Sequence, residues 1–240
     1  MEPIASRIYR PGDFSACQWQ EVLVTLGKKG FSPEMATELA NAKSGKAEQV
    51  VQLFRMSYPS PAEDWQSLYE KFFGEQYDFS EVNVPAHQSG FDRVIIVARG
   101  MTQNKVFEAM QKHFQCWRYT DNLDKATHGL NEREPAEHYA IRVRNRIEAD
   151  EELKNLSANQ IKGRGLTTET LLERELHGLK VFAETGEHLD VDNITLCAGS
   201  RDSHGDVPDV DWGRMDRKVS IDWYVPRFAD DYLRARAVVS

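Results

Sequence analysis

The sequence is poor in cysteine and has no long hydrophobic run. Its 240 residues include three cysteines, Cys17, Cys116 and Cys197, which stand far apart and form no C-x-x-C pair. This pattern suits neither a disulfide framework nor a cysteine-rich zinc site, so we expect free thiols in a reducing compartment. The first seven residues begin no apolar stretch of signal-peptide length, and no segment approaches the ~20 apolar residues of a membrane span. We therefore expect a cytoplasmic protein with no membrane partner.

Positive charge is also in deficit, with 30 Lys and Arg against 38 Asp and Glu and a formal net charge of -8. A nucleic-acid partner is disfavoured, because binding to phosphates requires a concentrated excess of basic residues. The seven histidines form no H-x-H or H-E-x-x-H pair, so we expect no bound metal. The sole G-x-G is 163–165 and no P-loop motif occurs, so we expect no nucleotide cofactor.

The apolar content, 40% of the residues with 10% aromatics, is sufficient for a folded core. Residues 1–78 carry four stretches with apolar residues at helical spacing, which predicts an N-terminal helical domain. Ser32 followed by Pro33 and Glu34 is typical of a helix start. The residues expected to be buried in this domain are Trp19, Leu23, Leu39, Val51, Phe54, Trp65, Leu68 and Phe72.

Residues 84–240 predict an α+β domain with a mainly antiparallel sheet. A β-branched run at 94–98, a helical pattern at 103–114 and a further strand at 116–119 indicate a β-α-β unit. Residues 138–147 alternate as a half-buried strand, and a helix capped by Thr167 or Thr168 follows. Four short strands at 194–197, 207–212, 219–225 and 233–239 end the chain. We expect 138–147 to pair in one sheet with 233–239, since a terminal apolar strand must be buried.

Two resemblances concern the C-terminal half. The segments 138–150, 171–182, 194–201, 207–210 and 233–239 are similar to a protein group of environmental, candidate-phylum bacteria that has no assigned activity. The order of elements also resembles, loosely, a C-type-lectin-like domain, whose disulfides and Glu-Pro-Asn and Trp-Asn-Asp motifs are missing here. The lectin-like resemblance implies a ligand surface on loops of the terminal sheet and does not imply sugar binding.

Polar and aromatic residues concentrate in that sheet and its loops, where a rigid scaffold can present them. Our first hypothesis is a non-enzymatic binding or interaction module for a protein or a small ligand. Its ligand-binding residues would be Arg201, Asp202, His204, Asp206, Asp209, Asp211, Trp212, Trp223 and Tyr224.

Two alternatives belong to other classes. A metal-dependent hydrolase would use the His- and Asp-bearing loops 184–211, gathering His188, Asp190, His204 and Asp206. A nucleic-acid-associated protein would use three arginines on one face of the strand 138–147, namely Arg142, Arg144 and Arg146. Alternatively, these arginines form an ordinary solvent-exposed face whose positive charge is balanced by the acidic residues at 148–152.

Overall fold

The computed structural model describes residues 16–41, 43–47, 49–50 and 59–240. It confirms a mixed α+β protein and divides the chain into two compact units, residues 1–59 and 60–240. The division follows Pro59, earlier in the chain than the boundary between 78 and 84 that the sequence predicts. In the described residues, no helix is both long and apolar enough to cross a membrane.

The first unit contains helices α1 (Ala16–Lys28) and α2 (Pro33–Ala40). Helix α2 begins as expected, with the Ser32 side chain accepting a hydrogen bond from the Met35 N–H. The prediction that Leu23 is buried is wrong, because this residue is 54% exposed. The apolar stripe of α1 predicts which face is apolar but not what covers it. The expected core residues Val51 and Phe54 and the side chain of Trp19 lie outside the described part.

Helix α3 (Pro61–Phe73) belongs to the second unit, where it covers the edge of strand β1 (Arg93–Val97). A capping box formed by Ser60 and Glu63 starts the helix, and Gly74 ends it in the left-handed conformation. Two of its aromatic side chains bond to the strand: the Trp65 indole donates to the Val94 carbonyl, and the Tyr69 hydroxyl donates to the Ile96 carbonyl. This edge of β1 is therefore capped by side chains rather than by another strand.

Strand β1 pairs antiparallel with β3 (Tyr139–Val143) in a two-stranded sheet. The second sheet has the order β2-β6-β5-β4-β7. The β2–β6 and β4–β7 pairs are parallel and the other two pairs are antiparallel. The strands of this sheet are β2 (Gln115–Arg118), β4 (Ile194–Leu196), β5 (Val207–Gly213), β6 (Lys218–Tyr224) and β7 (Leu233–Arg234).

Two expected strand pairings differ from the structure. The β-α-β unit is wrong, because β1 and β2 flank helix α4 (Gln103–Gln111) but lie in different sheets. The expected sheet shared by 138–147 and 233–239 is reduced to one antiparallel bridge between Arg142 and Val239. The last residues leave β7 because Arg236 turns into the interior and the Ala237 N–H bonds to the Asp150 carboxylate.

Two short helices and a 3-10 turn also belong to the unit: α5 (Leu123–Thr127), the 3-10 turn Glu151–Leu153, and α6 (Ala158–Gly163). Helix α7 (Leu171–Thr185) runs through the core and is capped by Thr170, not by Thr167 or Thr168, with Glu173 closing a capping box. Its apolar residues include Leu176 and Leu179, both fully buried.

Candidate functional site

The loop before β5, residues 201–206, is stabilised by hydrogen bonds between its own residues. The Asp202 carboxylate accepts hydrogen bonds from the backbone N–H groups of His204 and Asp206, both at 2.8 Å. The Arg201 guanidinium donates to the carbonyls of Ala198 and Ser200. Four predicted site residues, Arg201, Asp202, His204 and Asp206, thus lie in a tight polar turn that the Asp202 side chain stabilises, as Asx-type turns commonly do.

Trp212 and Trp223 lie on the core face of the β5–β6 hairpin. The Trp212 ring stacks on the His188 ring with centroids 3.5 Å apart and an interplanar angle of 7°. Trp223 is partly buried and packs against the main hydrophobic cluster. Strand alternation directs both indoles toward the core side of the hairpin, although both remain partly exposed.

The four residues of the hydrolase hypothesis do not come together as a metal site. His188 stacks between Phe182 and Trp212, and burial lowers its pKa to about 4. Asp190 is fully buried, whereas His204 has an 83% exposed side chain that pairs with Asp202. In the described part of the chain, no group of three His, Cys, Asp or Glu side chains could hold a metal ion.

Asp190 instead belongs to a buried ion network. Its carboxylate pairs with Arg174 at 2.7 Å and with Arg236 at 2.5 Å, and the Thr195 hydroxyl also donates to it. Burial alone would raise the pKa of Asp190, but the two guanidinium groups outweigh it and hold the pKa below its ordinary value. Arg236 also donates to the Arg146 and Ile147 carbonyls. The network ties the chain terminus to α7 and the terminal sheet.

Three carboxylates share the opposite face of the β5–β6 hairpin. Asp209 on β5 stands directly across from Asp222 on β6, and Asp211 lies two residues further along β5, across from Ser220. Side chains directly opposite on a sheet have Cβ atoms ~5 Å apart, and those two residues along are ~7 Å away. We call Asp209, Asp211 and Asp222 the acidic face. Asp209 and Asp211 are among the residues predicted from the sequence, whereas Asp222, which the alternation of β6 places on this side, is not.

The carboxylates of the acidic face are poorly compensated. Asp209 is 3% exposed, and its Oδ1 has no hydrogen-bond partner among the described residues. Burial, followed by the charges of Asp222 and Asp211, raises the pKa of Asp209 well above its ordinary value. Burial also raises the pKa of Asp211 to about 6, an effect that Arg174 and Lys218 oppose and that Asp190 and Asp222 reinforce. Ionising Asp209 and Asp211 therefore costs folding free energy.

Aromatic rings flank the acidic face on both sides. Tyr224, a predicted site residue, lies on the same face of β6 and stacks on Phe228 with centroids 4.8 Å apart. Its hydroxyl lies 3.4 Å from that of Tyr232. On the other side, Trp117 of β2 stands across from Ser220 and is 41% exposed, next to Tyr119 at 70%. Carboxylates between aromatic faces favour a cationic ligand.

The three arginines of the nucleic-acid hypothesis are engaged within the protein. Arg144 pairs with the buried Asp150, and Arg146 binds both oxygens of Glu152. Arg142 donates through Nε to the Pro85 carbonyl. The acidic residues at 150–152 thus balance the positive charge of Arg144 and Arg146, as expected from the alternative in which these arginines have no nucleic-acid partner.

The free cysteines in the described side chains are Cys116, which is partly buried, and Cys197, which is buried. Burial raises the pKa of the Cys116 thiol to about 12 and that of Cys197 well above its ordinary value. Both thiols therefore stay protonated and unreactive at neutral pH.

Comparison with known protein families, with curated proteins and with solved structures found no match. The C-type-lectin-like fold suggested by the order of elements is not confirmed. The fold and the site thus define an α+β protein with an acidic sheet face bordered by aromatic rings.

Proposed function

We propose that the protein is a non-enzymatic binding module whose acidic face binds a lysine- or arginine-bearing segment of a partner protein. The observation that carries this proposal is Asp209, a nearly buried carboxylate with an unpaired oxygen, directly across from a second carboxylate. Unpaired buried charge is costly, and an incoming cation would compensate it.

The residues around these acids support a cationic side chain as the ligand. An ammonium or guanidinium group placed over the exposed Asp222 can form a charge-assisted hydrogen bond with it and attract the nearly buried Asp209 carboxylate electrostatically. Tyr224 and Trp117 border the acids, and their rings attract cations electrostatically. A metal ion is the weaker choice, since the described residues offer no set of three suitable ligands.

The test is isothermal titration calorimetry at pH 7.5 with an N-acetylated, amidated tetralysine peptide. The matched control peptide carries four acetyl-lysines, which keep the length but lose the charge. We expect saturable binding of the tetralysine peptide and none of the acetylated one. The Asp209→Asn variant should weaken binding about tenfold, because it removes the nearly buried carboxylate whose charge the cation would compensate.

The control variant is Glu108→Gln, which removes one exposed carboxylate from α4 without touching the acidic face. We expect it to change affinity by less than about twofold, as isolated exposed charges contribute little. Equal loss of affinity in Asp209→Asn and Glu108→Gln would show a general charge effect and contradict the proposal. Absence of binding by the tetralysine peptide would do the same.

A further inference from the structure

A pocket of about 180 Å³ lies far along the chain from the acidic face residues, between the start of α4, helix α5 and the loop 131–135. Its lining includes the buried apolar side chains of Met101 and Leu172. Polar side chains of both charges line the same space, among them Gln103, Arg133, Asp124 and Glu134. Concave sites with an apolar wall and a few fixed polar groups are typical of small-ligand sites.

Two hydrogen-bond donors in this pocket lack a close partner. Gln103 is 4% exposed and uses Oε1 to accept from the Thr127 hydroxyl, while its Nε2 donates to no described residue. The Arg133 guanidinium binds Glu173 through Nε and Nη2, whereas its Nη1 has a contact of 3.8 Å to Glu132 and donates no hydrogen bond to the described residues. Both side chains are held rigidly, so these donors are preorganised.

Two carboxylates at the same pocket can accept hydrogen bonds from a ligand. Asp124 uses Oδ1 to accept from the Asn104 N–H, and Glu134 uses Oε1 to accept from the Asn131 amide. Each carboxylate therefore keeps a second oxygen for a ligand. An anion alone would meet the repulsion of these two acids, and a cation alone would leave the Gln103 and Arg133 donors unused.

We propose that this pocket binds a small zwitterion, with a carboxylate on Gln103 Nε2 and Arg133 Nη1 and an ammonium group on Asp124 and Glu134. An aliphatic side chain on the ligand would lie against Met101 and Leu172. A free α-amino acid has this combination of groups. The inference does not depend on the acidic face, because it rests on different residues.

The test is calorimetric titration with L-leucine and with its two halves. 4-Methylpentanoate lacks the ammonium group, and 3-methylbutylamine lacks the carboxylate. We expect L-leucine to bind saturably and each half to bind at least about tenfold more weakly, since each loses one set of charge-assisted hydrogen bonds. Equal binding of either half, or no L-leucine binding up to about 10 mM, would overturn the proposal.

Single substitutions test whether L-leucine binds in this pocket. Gln103→Leu should weaken L-leucine binding about tenfold, and the exposed Glu134→Gln should weaken it about threefold. The control Glu137→Gln removes an exposed carboxylate that does not line the pocket and should leave affinity unchanged. If Gln103→Leu fails to fold, Glu134→Gln and Glu137→Gln still decide the matter. Equal affinity of these two variants and the unaltered protein would overturn the proposal.

Discussion

Asp209 and Asp222 stand directly across from each other on β5 and β6, although both carry a carboxylate. Like charges directly opposite on a sheet are destabilising. We therefore expect Asp222→Asn to raise the free energy of unfolding at pH 7 by about 0.2–1 kcal/mol. Urea unfolding measures this change, with Glu108→Gln as the control. Loss of stability in Asp222→Asn would mean that the two carboxylates do not repel each other.

The raised pKa of Asp211 should make the free energy of unfolding depend on pH. Because the folded-state pKa, about 6, exceeds the ordinary value of 3.8, the folded state binds more protons between these limits. The contribution of Asp211 to the free energy of unfolding therefore falls as pH rises from about 4 to about 6. Asp211→Asn should be stabilised relative to the unaltered protein across this window.

Urea unfolding of both proteins at pH 4, 5, 6 and 7 tests this expectation. The difference in unfolding free energy should grow up to pH ~6 and then level off. His188, whose lowered pKa of about 4 gives the opposite slope below pH ~6.5, is present in both proteins and cancels. A difference that does not vary with pH would contradict the assignment.

Substitutions in the buried ion network around Asp190 should lower the free energy of unfolding more than substitutions of surface acids. Asp190→Asn leaves Arg174 and Arg236 without their shared carboxylate, which we expect to cost about 3–5 kcal/mol of stability. The matched control is Asp192→Asn, two residues on, whose 63% exposed carboxylate pairs with Arg214. That change should cost no more than about 1 kcal/mol. Similar melting temperatures for the two variants would refute a stabilising role for the network.

The hydroxyl of Tyr69 should stabilise the edge of β1. It donates to the Ile96 carbonyl and accepts from the Ala98 N–H, both at 3.0 Å. Tyr69→Phe leaves both buried backbone groups unpaired and should cost about 1–3 kcal/mol. Tyr119→Phe, at a residue 70% exposed, should be close to neutral in the same urea assay. A neutral Tyr69→Phe would show that the edge does not depend on this hydroxyl.

Local patterns predicted several elements because capping and periodicity act over a few residues. Ser32 and Pro33 start a helix as expected, and the alternation around Ile221 marks β6. The pairing of distant strands was not predictable in this way. Residues 94–98 and 116–119 fit a β-α-β unit by spacing alone, but tertiary contacts placed them in different sheets.

Helix α7 shows a second limit of sequence patterns. Its charged residues alternate with leucines and suggest a solvent face, yet Glu173, Arg174, Glu175 and Lys180 are all buried. Partners far along the chain make this possible for three of them: Arg133 binds Glu173, Asp190 binds Arg174, and Asp64 binds Lys180. Both carboxylate oxygens of Glu175 lack a hydrogen-bond partner among the described residues, and burial raises its pKa well above the ordinary value. Such compensation depends on the fold and leaves no local signal.

In the candidate site, alternation along β5 places Asp209 and Asp211 on one face, and the register with β6 places Tyr224 on that face too. The same alternation places Trp212 and Trp223 on the core side, a separation that the concentration of polar and aromatic residues in the sequence does not indicate. Asp222 required the register between β5 and β6, which places it across from Asp209. In the turn 201–206, the Asp202 carboxylate accepts hydrogen bonds from the backbone N–H groups of His204 and Asp206.

The most direct test of cation binding at the acidic face is to map it by NMR. Two-dimensional ¹H–¹⁵N spectra of the labelled protein would be recorded at pH 7.5 while the tetralysine peptide, acetylated only at its N-terminus and amidated at its C-terminus, is added. We predict that the largest shift changes fall on residues 207–213 and 218–224, with the Trp117 and Tyr119 amides beside them, and that Asp209→Asn suppresses them. Shift changes spread over the other acidic residues of the chain, or unaffected by Asp209→Asn, would contradict a cation site on this face.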